Sequence, residues 1–259
     1  MLIVVPDDNP PAMAGTPALE RLRRIGEVRV YDSDATDPAV LKDRLRDTEV
    51  AVNIRGRTRF TADVLQACPK LRLISIWGTG TDNVDLNAAA ARGISVTNTP
   101  GANAIAVAEH TVALMLAVVK QLAPADQAIR QGGWPRNLVP TLRGKRLGII
   151  GIGRIGREVA AMGKGLGLDV VAWTFHPDSS LAARLGFRYI ELEELLRTSD
   201  VISLHLRATP DTHHFLDRAR LALVRPGAIL VNTARGSLVD EAALVECLRE
   251  KKLAGAGLD

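Results

Sequence analysis

A short apolar run meets a glycine-rich turn in Leu147-Gly-Ile-Ile-Gly-Ile-Gly-Arg-Ile-Gly156. The residues up to Ile150 are typical of a buried strand, and those after Gly153 open an amphipathic helix. In this context the first glycine allows a tight turn, the second lets backbone N–H groups approach a pyrophosphate, and the third allows close helix–strand packing. We therefore predict a dinucleotide site at Gly151, Gly153 and Gly156, with a glycine-rich turn that binds no ligand as the alternative.

Apolar runs alternate with helical patterns on both sides of this stretch. Such alternation is typical of βαβ units, which build a parallel sheet covered by helices. The turn-rich segment Thr97-Asn-Thr-Pro-Gly101 separates the alternating strands and helices into two series. It leads into a helix predicted over Asn103–Lys120. We predict an α/β protein of two doubly wound parallel-sheet domains, residues 1–100 and 101–259. The predicted strands are Leu2–Val5, Val28–Tyr31, Val50–Ile54, Leu71–Trp77, Ile94–Val96, Leu147–Ile152, Val170–Trp173, Phe187–Ile190, Val201–Leu206, Ala228–Asn232 and 254–259.

The composition is that of an ordinary globular protein, with 259 residues of which 47% are hydrophobic and 24% charged. The net charge is only +4, and no run of like charge favours a nucleic acid partner. Cys68 and Cys247 form no CxxC pair, so we expect no disulfide framework and no metal or redox site, and we favour a reducing cytoplasm. The apolar N-terminal run is too short for a signal peptide, and no membrane segment is predicted.

The nucleotide preference is judged from the residue that ends the strand after the glycine turn. NAD sites usually carry Asp or Glu there for the ribose 2′-hydroxyl, whereas this chain has Thr174. Arg207, at the end of a neighbouring strand, is placed to reach a 2′-phosphate. The alternative is that Thr174 bonds the ribose and Arg207 is a solvated strand-end charge. NAD is slightly favoured as the cofactor, and NADP stays open.

Five segments carry motifs in a fixed order: Gly78-Thr-Gly-Thr-Asp-Asn-Val-Asp85, Asn98-Thr-Pro-Gly101, Val107-Ala-Glu-His110, Gly144–Gly156 and Arg225–Glu241. Together they resemble the D-isomer-specific 2-hydroxyacid dehydrogenase family, which includes phosphoglycerate, glyoxylate/hydroxypyruvate and D-lactate dehydrogenases. The joint match is far more specific than any single motif. The resemblance implies a flavodoxin-like substrate domain, a Rossmann dinucleotide-binding domain, and hydride transfer between a nicotinamide dinucleotide and a small 2-oxo or D-2-hydroxy acid.

The resemblance implies that Arg235, in Asn232-Thr-Ala-Arg-Gly236, is the catalytic arginine. A planar guanidinium can hold the carboxylate or carbonyl oxygen of a 2-oxo acid and stabilise negative charge on that oxygen. The position of Arg235 by itself favours the catalytic role no more than a structural one, in which the arginine caps a strand-end carbonyl or pairs with Asp240.

Substrate contacts in the first domain are implied for the loop Gly78-Thr79-Gly80, whose backbone N–H groups would hold a carboxylate. Trp77 is a candidate pocket wall, with packing as the alternative. Arg55, with Arg57 beside it, is placed to accept a second anionic group. A solvated pair of charges is at least equally expected for these two arginines.

The cofactor contacts implied by the resemblance follow the ends of the second series of strands. Arg154 and Ile155 would meet the pyrophosphate, and Leu206 the adenine. Relatives usually have proline at position 207, so Arg207 departs from the family pattern. Val107 would pack on the nicotinamide ring, with plain helix packing as the alternative. The nicotinamide end is also assigned to Thr233, Ala234, Arg235 and Asp259.

The family's proton donor is a histidine oriented by a glutamate, and the resemblance places both beyond the stretch Gly255-Ala-Gly-Leu-Asp259. None of the five histidines in this sequence is predicted to lie beside Arg235. The last strand and returning helix of the family's fold would also follow Asp259. We therefore expect little turnover by the 259-residue chain, and we favour a fragment of an active enzyme over a polypeptide that ends here.

Other functions within this family provide the competing hypotheses. One is an NAD(H)-sensing binding protein or an inactive family member, and another is an enzyme that acts on formate or phosphite. The resemblance also suggests a homodimer formed through the second domains, with the Asn103–Lys120 helix involved. The predicted partners are a small 2-oxo or 2-hydroxy acid and a second copy of the chain.

Overall fold

The computed structural model describes all 259 residues. The chain forms two compact units, Met1–Ala102 (unit 1) and Asn103–Asp259 (unit 2). Each unit has its own β-sheet, and every strand pairing in both sheets is parallel. Parallel neighbours require long crossover connections, which the helices provide. The predicted α/β class with two parallel-sheet domains is confirmed.

Unit 1 contains five strands and four helices. The strands lie in the order β2-β1-β3-β4-β5, which is the flavodoxin-like order, when they are numbered β1 (Leu2–Val5), β2 (Glu27–Val30), β3 (Val50–Asn53), β4 (Leu73–Ile76) and β5 (Ser95–Thr97). The helices are α1 (Pro17–Arg23), α2 (Pro38–Leu45), α3 (Ala62–Gln66) and α4 (Leu86–Ala91). The residue before each helix caps it: its side-chain oxygen accepts a hydrogen bond from a backbone N–H of the first turn. These capping residues are Thr16, Asp37, Thr61 and Asp85 for α1 to α4 in order.

The core of unit 1 lies on both faces of its sheet. Ile3 and Val5 pack with Met13 and Leu19 on one face, whereas Val4 packs with a second buried cluster on the other. Side chains alternate between faces along a strand, so a strand that is covered on both sides must be apolar throughout. This explains why the continuous apolar run at the N-terminus forms a strand.

Unit 2 contains six strands, seven α-helices and two short 3₁₀ helices, Pro210–Thr212 and Gly236–Leu238. Its strands are β6 (Arg146–Ile150), β7 (Asp169–Trp173), β8 (Arg188–Tyr189), β9 (Val201–Leu204), β10 (Ala228–Asn232) and β11 (Leu253–Leu258). Its helices are α5 (Ala104–Val119), α6 (Leu122–Arg130), α7 (Arg154–Gly165), α8 (Ser179–Leu185), α9 (Leu192–Thr198), α10 (Arg218–Leu223) and α11 (Glu241–Arg249). The sheet order β8-β7-β6-β9-β10-β11 is the doubly wound order 3-2-1-4-5-6 counted from β6. The order reverses between β6 and β9, so the glycine turn after β6 lies at the position where such folds bind nucleotides.

The structure shortens several predicted elements. The strand predicted over Leu147–Ile152 ends at Ile150, because Gly151 has a φ of +94° and begins the turn. The strand predicted to end at Leu206 ends at Leu204, which places His205 in the loop beyond the sheet rather than inside a strand. The helix predicted over Asn103–Lys120 is α5, flanked by those two residues as caps. Helices α1–α4, α6 and α8 were not predicted individually.

The most apolar helix of unit 2 is α5. It contributes Ala108, Met115 and Val119 to the buried core beneath the sheet, so it is a core helix as predicted. No single helix of the protein is both long and apolar enough to cross a membrane. Helices α5 and α6 together have the length and apolar composition of a membrane span, but the pair is bent by 63°.

Candidate functional site

The turn after β6 is shaped by backbone contacts that exclude side chains. A Cβ atom on Gly151 would lie 2.7 Å from the carbonyl oxygen of His205, and one on Gly156 would lie 2.3 Å from the carbonyl oxygen of Gly151. Both distances are far below van der Waals contact. Gly151 also has the left-handed backbone that favours glycine. Two of the three predicted glycines are therefore required by packing in this turn.

The third glycine serves a different purpose. Gly153 is exposed, and a Cβ atom there would meet no other atom within 4 Å. It precedes the first residue of α7, and no side chain caps the N–H groups of that helix. Uncapped N–H groups and the helix dipole make such an end an anion site. Open space lies beside Gly153, next to exposed Arg154 and partly buried Ile155.

The end of β7 is aromatic rather than acidic. Trp173 packs edge-on against Phe175, with ring centroids 4.9 Å apart, and lies 5.2 Å from Phe215. Thr174, between the two aromatic residues, is partly buried, and the next three residues are Phe175, His176 and Pro177. Leu206 is buried after β9, and Arg207 beside it is exposed. No carboxylate follows β7 directly, which leaves a 2′-phosphate without a repelling charge at this point of the chain.

His205 connects the glycine turn to β9. Its N–H donates to the carbonyl oxygen of Ile150 at 2.8 Å, and its Nε2 lies 2.8 Å from Ser203 Oγ. Burial disfavours the charged imidazolium and lowers the pKa of His205 to about 4. The ring is therefore neutral at neutral pH and is bonded to β9 through Ser203.

Acid should destabilise the protein through His205. The unfolded chain binds a proton at His205 near the ordinary pKa of 6.5, whereas the folded chain resists protonation down to about 4. The stabilisation is complete above pH 6.5 and is lost as pH falls from 6.5 towards 4, by at most about 3 kcal/mol. Urea unfolding of wild type and His205→Gln at neutral pH and about pH 4.5 measures this difference. The exposed His176→Gln is the control, and an equal pH dependence in all three proteins would contradict the assignment.

The loop after β10 is held by a buried amide. Asn232 Oδ1 accepts a hydrogen bond from Ala234 N at 3.0 Å, and its Nδ2 donates to the carbonyl oxygen of Arg235 at 2.8 Å. Thr233 is buried, Ala234 is partly buried, and Arg235 is exposed with Nη1 donating to the Ala234 carbonyl oxygen at 2.8 Å. The amide thus fixes the backbone that carries the arginine.

Asp259 follows β11, the strand that neighbours β10. Its N–H donates to the carbonyl oxygen of Asn232 at 3.1 Å, and its carboxylate lies 3.8 Å from Nε2 of His110 on α5. Val107, one turn earlier on α5, is partly exposed. The predicted cofactor residues of unit 2 therefore occur on α5, on α7 and in the loops that follow β6, β7, β9, β10 and β11.

In unit 1, the loop Gly78-Thr79-Gly80 presents its carbonyl groups to the break that precedes Gly101. The Gly78 carbonyl oxygen accepts from Thr99 N at 2.8 Å, and the Thr79 carbonyl oxygen accepts from Asn98 Nδ2 at 2.8 Å. The N–H groups of Gly78, Thr79 and Gly80 have no acceptor within unit 1. Trp77, just before the loop, is 44% exposed. These donors are available for an anionic ligand.

Arg55 and Arg57 differ in the structure, although the sequence treats them as a pair. Arg57 is exposed and donates to both carboxylate oxygens of the buried Asp7, at 2.9 and 2.8 Å, so it is a solvent-facing charge with a fixed partner inside unit 1. Burial by itself would raise the pKa of Asp7, but hydrogen bonds from Arg57 and Asn9 N–H outweigh it and hold that pKa below its usual value. Arg55 contacts the Pro10 carbonyl oxygen, and its buried Nε has no partner. Arg55 is thus the better candidate for a ligand.

Several residues that shape these sites were not singled out from the sequence. They are Asn232, Thr111 and Asp7. For Asn232 a local signal exists, because an amide at the end of a buried strand can hold the loop that follows. The other two depend on partners 50 or more positions away: Thr58 and Arg57 for Asp7, and Thr233 for Thr111.

Comparison with known proteins gives consistent matches. Residues 112–259 match the family model described as "D-isomer specific 2-hydroxyacid dehydrogenase, NAD binding domain". The chain is 41% identical over 211 residues to a D-3-phosphoglycerate dehydrogenase of Archaeoglobus fulgidus, a match that covers 81% of this chain and 40% of that protein. It is 36% identical over 251 residues to a glyoxylate reductase of Thermococcus litoralis, covering 93% of this chain and 76% of the relative.

A solved structure shows the same architecture. D-lactate dehydrogenase from Aquifex aeolicus, complexed with NAD and lactic acid, superposes with a TM-score of 0.88 at 32% identity. That match covers 100% of this chain and 76% of the other. The chain thus spans less than half of the phosphoglycerate dehydrogenase it matches and about three quarters of the other two proteins.

Proposed function

Because the chain belongs to the D-isomer-specific 2-hydroxyacid dehydrogenase family, we propose that it binds a nicotinamide dinucleotide and transfers a hydride between it and a small 2-oxo or D-2-hydroxy acid. The bound dinucleotide supplies the hydride donor or acceptor. The protein supplies the binding, the orientation and the electrostatic stabilisation.

The glycine turn is the observation that carries this proposal. Gly151 and Gly156 close the turn by packing, whereas Gly153 leaves open space at an uncapped helix end, as a pyrophosphate requires. Arg154 and Ile155 flank the pyrophosphate in this proposal. Thr174, Leu206 and Arg207 line the adenosine side in this proposal. The nicotinamide side is lined by Val107, Thr233, Ala234, the backbone of Arg235, and Asp259.

Arg235 is proposed to bind and polarise the 2-oxo acid. Its guanidinium offers two parallel donors to a carboxylate and always carries the charge that stabilises a developing oxyanion. The loop Gly78-Thr79-Gly80 is proposed to hold the substrate carboxylate with its N–H donors. Arg55, whose buried Nε lacks a partner, is proposed to face a second polar or anionic group of the substrate, with Trp77 as an apolar wall.

A substrate panel tests the proposed reaction. Glyoxylate, hydroxypyruvate, pyruvate and 3-phosphohydroxypyruvate are offered with NADH or NADPH, and oxidation is followed by cofactor absorbance. With the 259-residue chain we expect tight binding of at least one dinucleotide and little consumption of cofactor, because none of its histidines is predicted to lie beside Arg235. A protein that also carries the family's histidine and glutamate should consume cofactor with at least one acid, and binding without turnover by that protein would favour an NAD(H)-sensing role or an inactive family member. Absence of binding would contradict the proposal.

Cofactor preference is proposed to depend on the neutral residue at position 174, with NAD slightly favoured and NADP accepted. Replacing Thr174 with aspartate places a carboxylate where it can accept from the ribose 2′-hydroxyl and repel a 2′-phosphate. We expect Thr174→Asp to raise the affinity ratio for NADH over NADPH by about 10-fold or more. Titrations with both nucleotides measure it. His176→Asp, which adds the same charge two residues away, is the control, and an equal shift in both variants would contradict the role of Thr174.

A homodimer formed through unit 2 is also proposed. Exposed large apolar side chains accumulate between residues 105 and 139, and Leu138 is 99% exposed. Contiguous exposed apolar surface commonly marks an interface. Sedimentation equilibrium is expected to give twice the chain mass, and Leu138→Asp to weaken association. The apolar side chains in question are Ile105, Leu122, Ile129, Trp134, Leu138 and Val139.

A further inference from the structure

A buried pair of threonine hydroxyls joins α5 to the loop that carries Arg235. Thr111 Oγ1 lies 2.7 Å from Thr233 Oγ1 and 2.7 Å from the carbonyl oxygen of Val107. A carbonyl oxygen can only accept, so the Thr111 hydroxyl proton goes to Val107. Thr233 therefore donates its proton to Thr111. Both side chains are buried, so neither hydroxyl has water as a substitute partner.

The loop on the other side of this bond has little freedom of its own. The Asn232 side chain holds Ala234 N and the Arg235 carbonyl oxygen, which fixes the local shape of the loop. This clamp does not determine where the loop lies relative to α5. The hydroxyl pair joins this loop directly to α5, in addition to the packing of α5 against β10.

Helix α5 is itself held in place against the sheet. A Cβ atom on Gly257 would lie 3.0 Å from Leu114 Cβ, and one on Gly255 would lie 2.6 Å from Val118 Cγ1. The two glycines of β11 thus allow an approach that other residues would prevent. Because α5 is packed this closely, it is a rigid reference for any group bonded to it.

We propose that Thr111 is a positioning residue that sets the loop Thr233–Arg235 at the nicotinamide end of the dinucleotide site. This inference rests on the proposed function. A valine would fill the same volume at position 111, so packing alone does not require the hydroxyl. The Thr111 hydroxyl accepts the hydrogen bond of the Thr233 hydroxyl and holds Thr233 near Val107. The proposed function places Val107 and Thr233 at the nicotinamide.

The test compares NADH with ADP-ribose, which lacks the nicotinamide ring. We expect Thr111→Val to weaken NADH binding about 3- to 10-fold, the effect of one lost buried hydrogen bond, and to change ADP-ribose binding less than about 2-fold. Thr111→Ser retains the hydroxyl and should restore NADH affinity. Thr198→Val is the matched control, because Thr198 Oγ1 makes the same bond to a carbonyl oxygen four residues earlier, at 2.7 Å, away from this loop.

A double-mutant cycle measures whether Thr111 and Thr233 act through the same hydrogen bond, so the test does not depend on a single variant. Thr233→Val removes the same bond from the other side, so the double variant Thr111→Val/Thr233→Val should bind NADH no more weakly than Thr233→Val alone. Equal weakening of NADH and ADP-ribose, unchanged NADH binding, or additive effects would each overturn the positioning role. Wild-type protein that binds neither nucleotide would instead overturn the proposed function, and this inference with it.

Discussion

Gly156→Ala is expected to destabilise unit 2 by at least about 3 kcal/mol and to abolish measurable dinucleotide binding. The added methyl group would lie 2.3 Å from the carbonyl oxygen of Gly151. That oxygen cannot move away cheaply, because Gly151 itself faces the backbone of His205. Helix α7 would have to shift from β6, which breaks the turn. Urea unfolding and titration with NADH measure the two effects.

Two other glycines on the same turn and helix provide controls for this prediction. Gly153→Ala meets no atom within 4 Å, so it should retain stability while weakening NADH about 10-fold by occupying the space proposed for the pyrophosphate. Gly165→Ala, at the end of α7, also meets no atom within 4 Å and should change neither property. A Gly156→Ala protein with wild-type stability and NADH affinity would show that the turn does not depend on close packing.

Arg235→Gln is expected to weaken binding of a 2-oxo acid such as pyruvate to the NADH-loaded protein by about 100-fold. Glutamine retains length and hydrogen-bonding capacity but removes the charge and the two parallel donors. Affinity for NADH itself should change less than about 3-fold, because the backbone contacts of Thr233 and Ala234 remain. Calorimetric titration of the acid into the NADH complex measures the first effect, and titration with NADH measures the second.

Two further variants separate charge from geometry. Arg235→Lys keeps the charge without the planar fork and should fall between wild type and Arg235→Gln. Arg218→Gln removes an exposed arginine that pairs with Glu246 on α11 and should leave both affinities unchanged. If Arg235→Gln bound the acid as tightly as wild type, the arginine would be only a strand-end charge.

Much of the fold follows from local pattern. The apolar runs at Leu2–Val5 and Ala228–Asn232 form strands with those bounds, because strands covered on both faces must be apolar throughout. Family membership, which the ordered motifs predicted, is confirmed by the match over residues 112–259 and by the glyoxylate reductase. The functional roles assigned to individual residues stay predictions.

The candidate site was predictable only in part. Residues that follow parallel strands must lie at one edge of a sheet, so Gly151, Thr174 and Thr233 could be grouped from the sequence. The partners of Arg57 and Thr111 could not, because Asp7 and Thr233 lie 50 and 122 positions away. Arg55 and Arg57 look alike in sequence, and only the buried carboxylate of Asp7 distinguishes them.

The α/β class, the position of the glycine turn and the family could be predicted without coordinates, because each depends on short-range periodicity or on an ordered set of local motifs. Which polar groups are satisfied internally could be seen only in the folded chain. The tertiary structure paired Arg57 with Asp7, clamped the Arg235 loop through Asn232 and joined Thr233 to Thr111. A buried polar group must find a partner in space, and residues distant in sequence become neighbours only when the chain has folded.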